Sequence, residues 1–200
     1  METRSIWSLR LTTFMIALIP VAVAVNYVGK AIAAALKLPL WLDSIGTVLA
    51  AMLGGPVVGA LSGAINNIFY GLTADPVSFW YAITSIFIGL AAGYFAYTGW
   101  VQSTGRAIAL GLVVALVSAV VSTPINVILW QGTTGNAWGD ALFTALRIHE
   151  VPVWLASFLD EFVVDLPDKV ITVFVAYLVF RGLPQRLVAQ AGARRVQGGR

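Results

Sequence analysis

Cysteine does not occur among the 200 residues of this chain. Disulfides, thiolate metal sites and cysteine nucleophiles are therefore excluded. Histidine occurs once, at His149, which rules out a multi-histidine metal centre. Charge is scarce too. Asp, Glu, Lys and Arg make up 10% of the residues, against about 25% in a soluble domain. Hydrophobic residues reach 59%. Polar surface on this scale cannot cover a globule in water, so the chain reads as an integral membrane protein. A Walker-type phosphate loop is also missing, so ATP hydrolysis by this chain is not expected. His149-Glu150 lacks the second histidine of a zinc-protease helix, and Ser157 with Asp160 has no placed base. The expectation is no enzyme, no cofactor, no metal and no nucleic-acid partner.

Long apolar runs are what the chain does have. A membrane-spanning helix needs about 20 apolar residues. Runs at about 11–36, 43–54, 56–72, 79–98, 106–130 and 167–181 predict an all-α membrane domain over residues 1–184, a compact bundle of six spans. The first run follows Arg4 and Arg10 but is too long for a signal peptide, so it reads as an uncleaved span. The short second and third runs are divided by Leu53-Gly54-Gly55-Pro56, where proline suits the first turn of a helix and the glycines tolerate a tight reversal. Residues 131–161 form an outer loop too apolar for disorder, with short helices expected near 141–146 and 151–159. Residues 185–200, Gly/Arg-rich, read as a disordered basic cytoplasmic tail that can touch anionic lipid.

Six spans put both termini on one side. Eight of the twelve basic residues fall there, whereas eight of the nine acids fall opposite. By the positive-inside rule both termini are cytoplasmic and the multi-pass chain sits in the plasma membrane with an acidic outer face.

Three constellations stand out. Gly55, Gly59, Gly63, Asn67 and Gly71 recur every fourth residue and form one stripe on a helix. Small residues let backbones approach closely, either inside the bundle or against another membrane subunit. Asn26, Tyr27 and Lys30 in the first run and Asn66 and Asn67 in the third are polar at membrane depth, where such groups face the protein interior or a wet cavity. The third constellation is the mouth of the sixth run, with Asp165, Asp168 and Lys169, near "QGTTGNAWGDALF" in the outer loop. Asp165 can cap that helix and Pro167 can occupy its first turn. Asp165 and Lys169 can pair at four residues' spacing. Asn136, Trp138 and Asp140 offer an amide, a ring and a carboxylate. With Asp168, Lys169, Asn67 and Lys30 they make up the candidate solute site, since polar groups converging on an apolar bundle mouth suit a small molecule.

The stretch "WLDSIGTVLAAMLGGPVVGALSGAINNIFYGL" resembles the second and third helices of the substrate-binding S components of energy-coupling factor (ECF) transporters. "GNAWGDALF" followed by "FVVDLPDKVITVFVAYLVF" looks like the end of a subgroup of that family whose solute is unassigned. The resemblance covers most of the chain. It implies a substrate-capture subunit that binds a small vitamin-like solute at the outer face. It implies as partners a transmembrane T subunit and two cytoplasmic ATPases, which drive uptake. The family docks on its T subunit through an Ala-x-x-x-Ala motif in the first helix. Here Ala31/Ala35 and Thr13/Ala17 are the candidates, with Pro20 between them, and Gly55, Gly59 and Gly63 are candidates on the third. The alternative from another class is a membrane sensor or scaffold domain without transport.

Overall fold

Thr12 opens the first helix by accepting a hydrogen bond from the Met15 amide on its hydroxyl. It is also the first residue that the structure, a computed structural model, describes; the described residues are 12–191 and 193. The helices are α1 (Thr13–Ala35), α2 (Ile45–Gly54), α3 (Pro56–Thr73), α4 (Ala82–Phe95), α5 (Thr104–Trp130), α6 (Ala137–Ile148), α7 (Val153–Gly182) and α8 (Gln185–Gln190). A 3-10 turn at Pro76–Phe79 follows α3, and a π-helical segment at Ala96–Trp100 extends α4. No strand occurs among the described residues.

Helix α2 lies at the centre. Seven of its ten residues are buried, among them Val48, Ala50, Ala51, Met52 and Leu53. A helix apolar all round is stable only when surrounded, and α2 packs on α1, α3, α4 and α7. Its first turn is capped from another helix. Ser44 makes no side-chain cap, but the buried Asn26 of α1 accepts from the Gly46 amide at 2.7 Å and donates to Thr47 Oγ1 at 2.8 Å. Gly55 then turns the chain with φ of 90°, a conformation in which a Cβ is strained. Pro56 starts α3 at once.

The small-residue stripe of α3 faces inward. A Cβ on Gly59 would lie 2.5 Å from the Ala51 Cβ and 3.1 Å from the Gly89 carbonyl oxygen. On Gly63 it would lie 2.8 Å from the Ser85 carbonyl oxygen. Gly59 and Gly63 therefore seat α2 and α4, and Gly55 is buried in the turn, so these three positions do not form an external docking face. Ala31 is partly buried and Ala35 exposed at the end of α1.

Contacting pairs show that α3 and α4 run antiparallel, as do α5 and α7. Pro56 and Ser85 of the α3–α4 seam meet Gly93 and Gly63 respectively. Asn126 of α5 meets Glu161 of α7, while Gly111 meets Val170. Among the described residues three helical segments are long and apolar enough to cross a membrane: Thr13–Ala35, Ala82–Trp100 and Thr104–Trp130. Their outward faces are apolar as well. Ile108, Leu112, Leu116 and Val120 make an exposed fourth-residue stripe along α5. This is a membrane protein's distribution, since a soluble monomer rarely exposes contiguous apolar surface of that extent.

Two expectations are corrected. The last long helix does not begin at Asp165–Pro167: α7 starts at Val153 and carries Pro167 inside it. The segment near 151–159 is its first turns, not a separate loop helix. An interior proline removes one backbone bond and costs about 3 kcal/mol in an isolated helix. Here α7 is packed along α5 and against α2 and α6, and that packing carries the helix through. The basic tail is not wholly unstructured either. Its first residues form α8, with Val188 fully buried in the core. Arg194, Arg195 and Arg200 lie outside the described residues, as do Arg4 and Arg10.

Candidate functional site

Side chains from α1, α4, α5, α7 and the intervening loops converge on one cavity. It is a narrow cavity of about 80 Å³, open in part to solvent. That is below the roughly 300–1,000 Å³ of typical small-molecule sites. Lys30 enters from the end of α1, Trp41 and Asp43 from the α1–α2 loop, Asp75 and Ser78 from the turn after α3. Tyr81, Thr84 and Ser85 come from the start of α4, Ser118 and Ser122 from α5, Thr134 from the loop after it, and Glu161, Asp165 and Lys169 from α7. Ser118 lies twelve residues before the end of α5, or about 18 Å along the axis at 1.5 Å per residue. The cavity therefore penetrates well into the bundle from the end bearing these loops.

Charge is organised around two lysines. The Lys169 ammonium, 2% exposed, lies 2.6 Å from Asp168 Oδ2, 3.3 Å from Asp43 Oδ1 and 3.5 Å from Asp165 Oδ1. The Lys30 ammonium donates to Ser78 Oγ at 2.7 Å and stands 4.6 Å from the Tyr70 ring centroid. A third polar group bridges three helices. Tyr81 Oη donates to Asn126 Oδ1 at 2.5 Å, and Asn126 Nδ2 donates to Glu161 Oε2 at 3.1 Å. Thr84 and Ser122 share a hydrogen bond of 3.0 Å across α4 and α5.

Asp168 has a separate task. Its Oδ1 accepts from the Trp41 and Leu42 amides at 3.1 and 2.8 Å. Leu42 has a positive φ of 51°, and the non-helical approach to α2 needs partners for its amides, since buried unpaired backbone groups are costly. One carboxylate thus fixes the loop with one oxygen and the cavity lysine with the other.

The expected site residues separate into three groups. Lys30 and Lys169 line the cavity; Asp168 stands behind Lys169. Asn67 is buried between α3 and α4, donating to Ser85 Oγ at 2.6 Å, so it positions a lining hydroxyl without lining the cavity itself. Asn136, Trp138 and Asp140 do not line this cavity. Asn136 caps α6 by accepting from the Trp138 amide at 3.1 Å and reaches the Leu38 carbonyl. Trp138 is 64% exposed, its indole donating to the Lys37 carbonyl. Asp140 accepts from the Thr134 and Gly135 amides. Together they fasten α6 to the α1–α2 loop and shape the turn that presents Thr134. Asp165 is likewise not a helix cap: it is a buried mid-helix carboxylate facing the cavity. Among the lining residues that the expected site omitted are Trp41, Asp43, Tyr81, Ser118, Ser122, Glu161 and Asp165. Ser118 and Ser122, one helical turn apart in an otherwise apolar run, carried a readable signal.

Hydroxyls, carboxylates, two ammoniums and two aromatic rings surround an apolar-walled space, and no cluster of metal-ligating side chains occurs among the described residues. Comparison of the chain with protein-family models, curated proteins and solved structures gives no match.

Proposed function

We propose that this chain is the substrate-capture subunit of an ECF-type importer, binding a small vitamin-like solute at the outer face of the plasma membrane. The observation that carries the reading is the polar cavity set into one end of an apolar helical bundle. In this reading α1, α2, α3, α4, α5 and α7 are the six spans, and both termini are cytoplasmic. Helix α2 is too short to cross alone: ten residues rise about 15 Å, half of a bilayer core of about 30 Å. The irregular loop before it completes the crossing. Non-helical backbone at such depth is tolerated where protein covers it or a cavity adjoins it, and Asp168 meets that condition for Trp41 and Leu42. Helix α6 closes the loop end of the bundle beside the cavity. The chain acts without catalysis. A T subunit and two ATPases, all separate chains, supply the energy, which accords with the missing phosphate loop.

The test is uptake. Native mass spectrometry of the purified chain identifies the bound solute. Liposomes holding the chain together with a T subunit and its ATPases should accumulate that solute only with ATP. Accumulation by this chain alone, without ATP, would remove the importer reading. Binding without uptake under any partner combination would favour a sensor.

A further inference from the structure

Acidic groups outnumber basic ones in the cavity wall. Asp43, Asp75, Glu161 and Asp165 stand against Lys30 and Lys169. Lys169 is already shared among three carboxylates, counting Asp168 behind it. Lys30 is engaged by a hydroxyl and a ring and forms no ion pair among the described residues. Glu161, 3% exposed, has one amide donor and no ion-pair partner among the described residues. Asp165 is fully buried and lines the cavity with Ser118 beside it, yet neither of its oxygens accepts a hydrogen bond in ordinary geometry. Buried carboxylates in this condition need either a counter-charge or a bound proton, and a cationic solute supplies the first. The wall also presents the Trp41 and Tyr81 rings, and aromatic faces together with carboxylates are the chemistry that recognises an organic cation.

We infer that the solute carries a positive charge and is held as an organic cation between the Glu161 and Asp165 carboxylates and the aromatic wall. The inference rests on the solute-capture reading for its biological sense but not for its physics. An anion entering the same space would meet four carboxylates against two ammoniums, one of them already shared among three carboxylates, and a neutral solute would leave the acidic excess uncompensated.

Three probes of one shape and different charge test it: benzamidine, benzamide and benzoate, titrated into the full chain in a nonionic detergent. Benzamidine is expected to bind at least about ten-fold tighter than either isostere, the worth of one hydrogen bond to a charged group. Glu161→Gln should erase that preference by about ten- to a hundred-fold. If that variant does not fold, Asp75→Asn keeps the acceptor for the Val77 amide while removing one charge, and should narrow the preference. Equal binding of benzamidine and benzamide would mean that the carboxylates are held neutral, and would overturn the inference. Tighter binding of benzoate would do so too, as would no response to benzamidine at millimolar concentration. The two readings fail separately. Cation preference without ATP-dependent uptake removes the importer and leaves the cation site; ATP-dependent uptake of an anion does the reverse.

Discussion

The α2–α3–α4 seam and the cavity wall around Lys169 are both buried, but different forces hold them. In the seam, glycines bring backbones together. A Cβ on Gly89 would overlap the backbone of Gly59 and Ala60, and one on Gly93 would sit 2.5 Å from Pro56 Cα. Nothing there depends on charge; the fit is mainly of shape, with one buried hydrogen bond from Asn67 to Ser85. Around Lys169 three carboxylates converge on one ammonium, and the fit depends on which charges are present. A shape-held seam fails when an atom is added. A charge-held cluster fails when one partner is taken away, because the others stay buried and unpaired.

The largest effect should follow from removing that ammonium. Lys169→Met leaves Asp43, Asp165 and Asp168 facing one another, and breaking a buried pair in this way costs about 3–5 kcal/mol. Thermal unfolding followed by size-exclusion chromatography in detergent reads the loss. Adding Asp168→Asn should recover part of it, since contacting residues are not additive. A Lys169→Met protein as stable as the parent would show that the cluster is not charge-held.

Next comes Gly89→Val, which adds atoms where the seam has none to spare. Overpacking of this kind costs about 1–3 kcal/mol. Gly105→Ala is its control, because a Cβ there meets nothing within 4 Å and should change stability by no more than about 0.5 kcal/mol. Equal melting temperatures for the two variants would break the contrast.

The smallest effect is expected at Asp140, which lies outside the cavity. Asp140→Asn weakens the turn holding Thr134 and should cost about 1 kcal/mol, the scale of one net hydrogen bond. Affinity for the co-purified solute, measured by titration, should stay at the parent value. A large loss of affinity in a well-folded Asp140→Asn protein would return this carboxylate to the solute.

Local chemistry read Asp165, Pro167 and Lys169 as the start of a helix, and Asn136, Trp138 and Asp140 as a pocket. Both groups have neighbours in sequence that make such readings self-consistent. The structure spends the second group on capping α6 and forming its preceding turn, contacts within six residues, together with ties to the α1–α2 loop. It turns Asp165 and Lys169 inward and leaves Pro167 exposed, because α7 continues through Pro167 and its polar face meets a loop far away in sequence. Lys30 was legible as a cavity residue because an ammonium at membrane depth has few alternatives.

Composition and hydropathy by themselves determined a membrane protein, its apolar runs and the Gly-Pro turn between α2 and α3, since each is a property of neighbouring residues. Which polar groups meet was decided only by tertiary structure. Asp168 finds the Leu42 amide 126 positions away, and Tyr81 finds Asn126 and through it Glu161. A buried charge is stable only beside its partner, and packing rather than spacing along the chain brings those partners together.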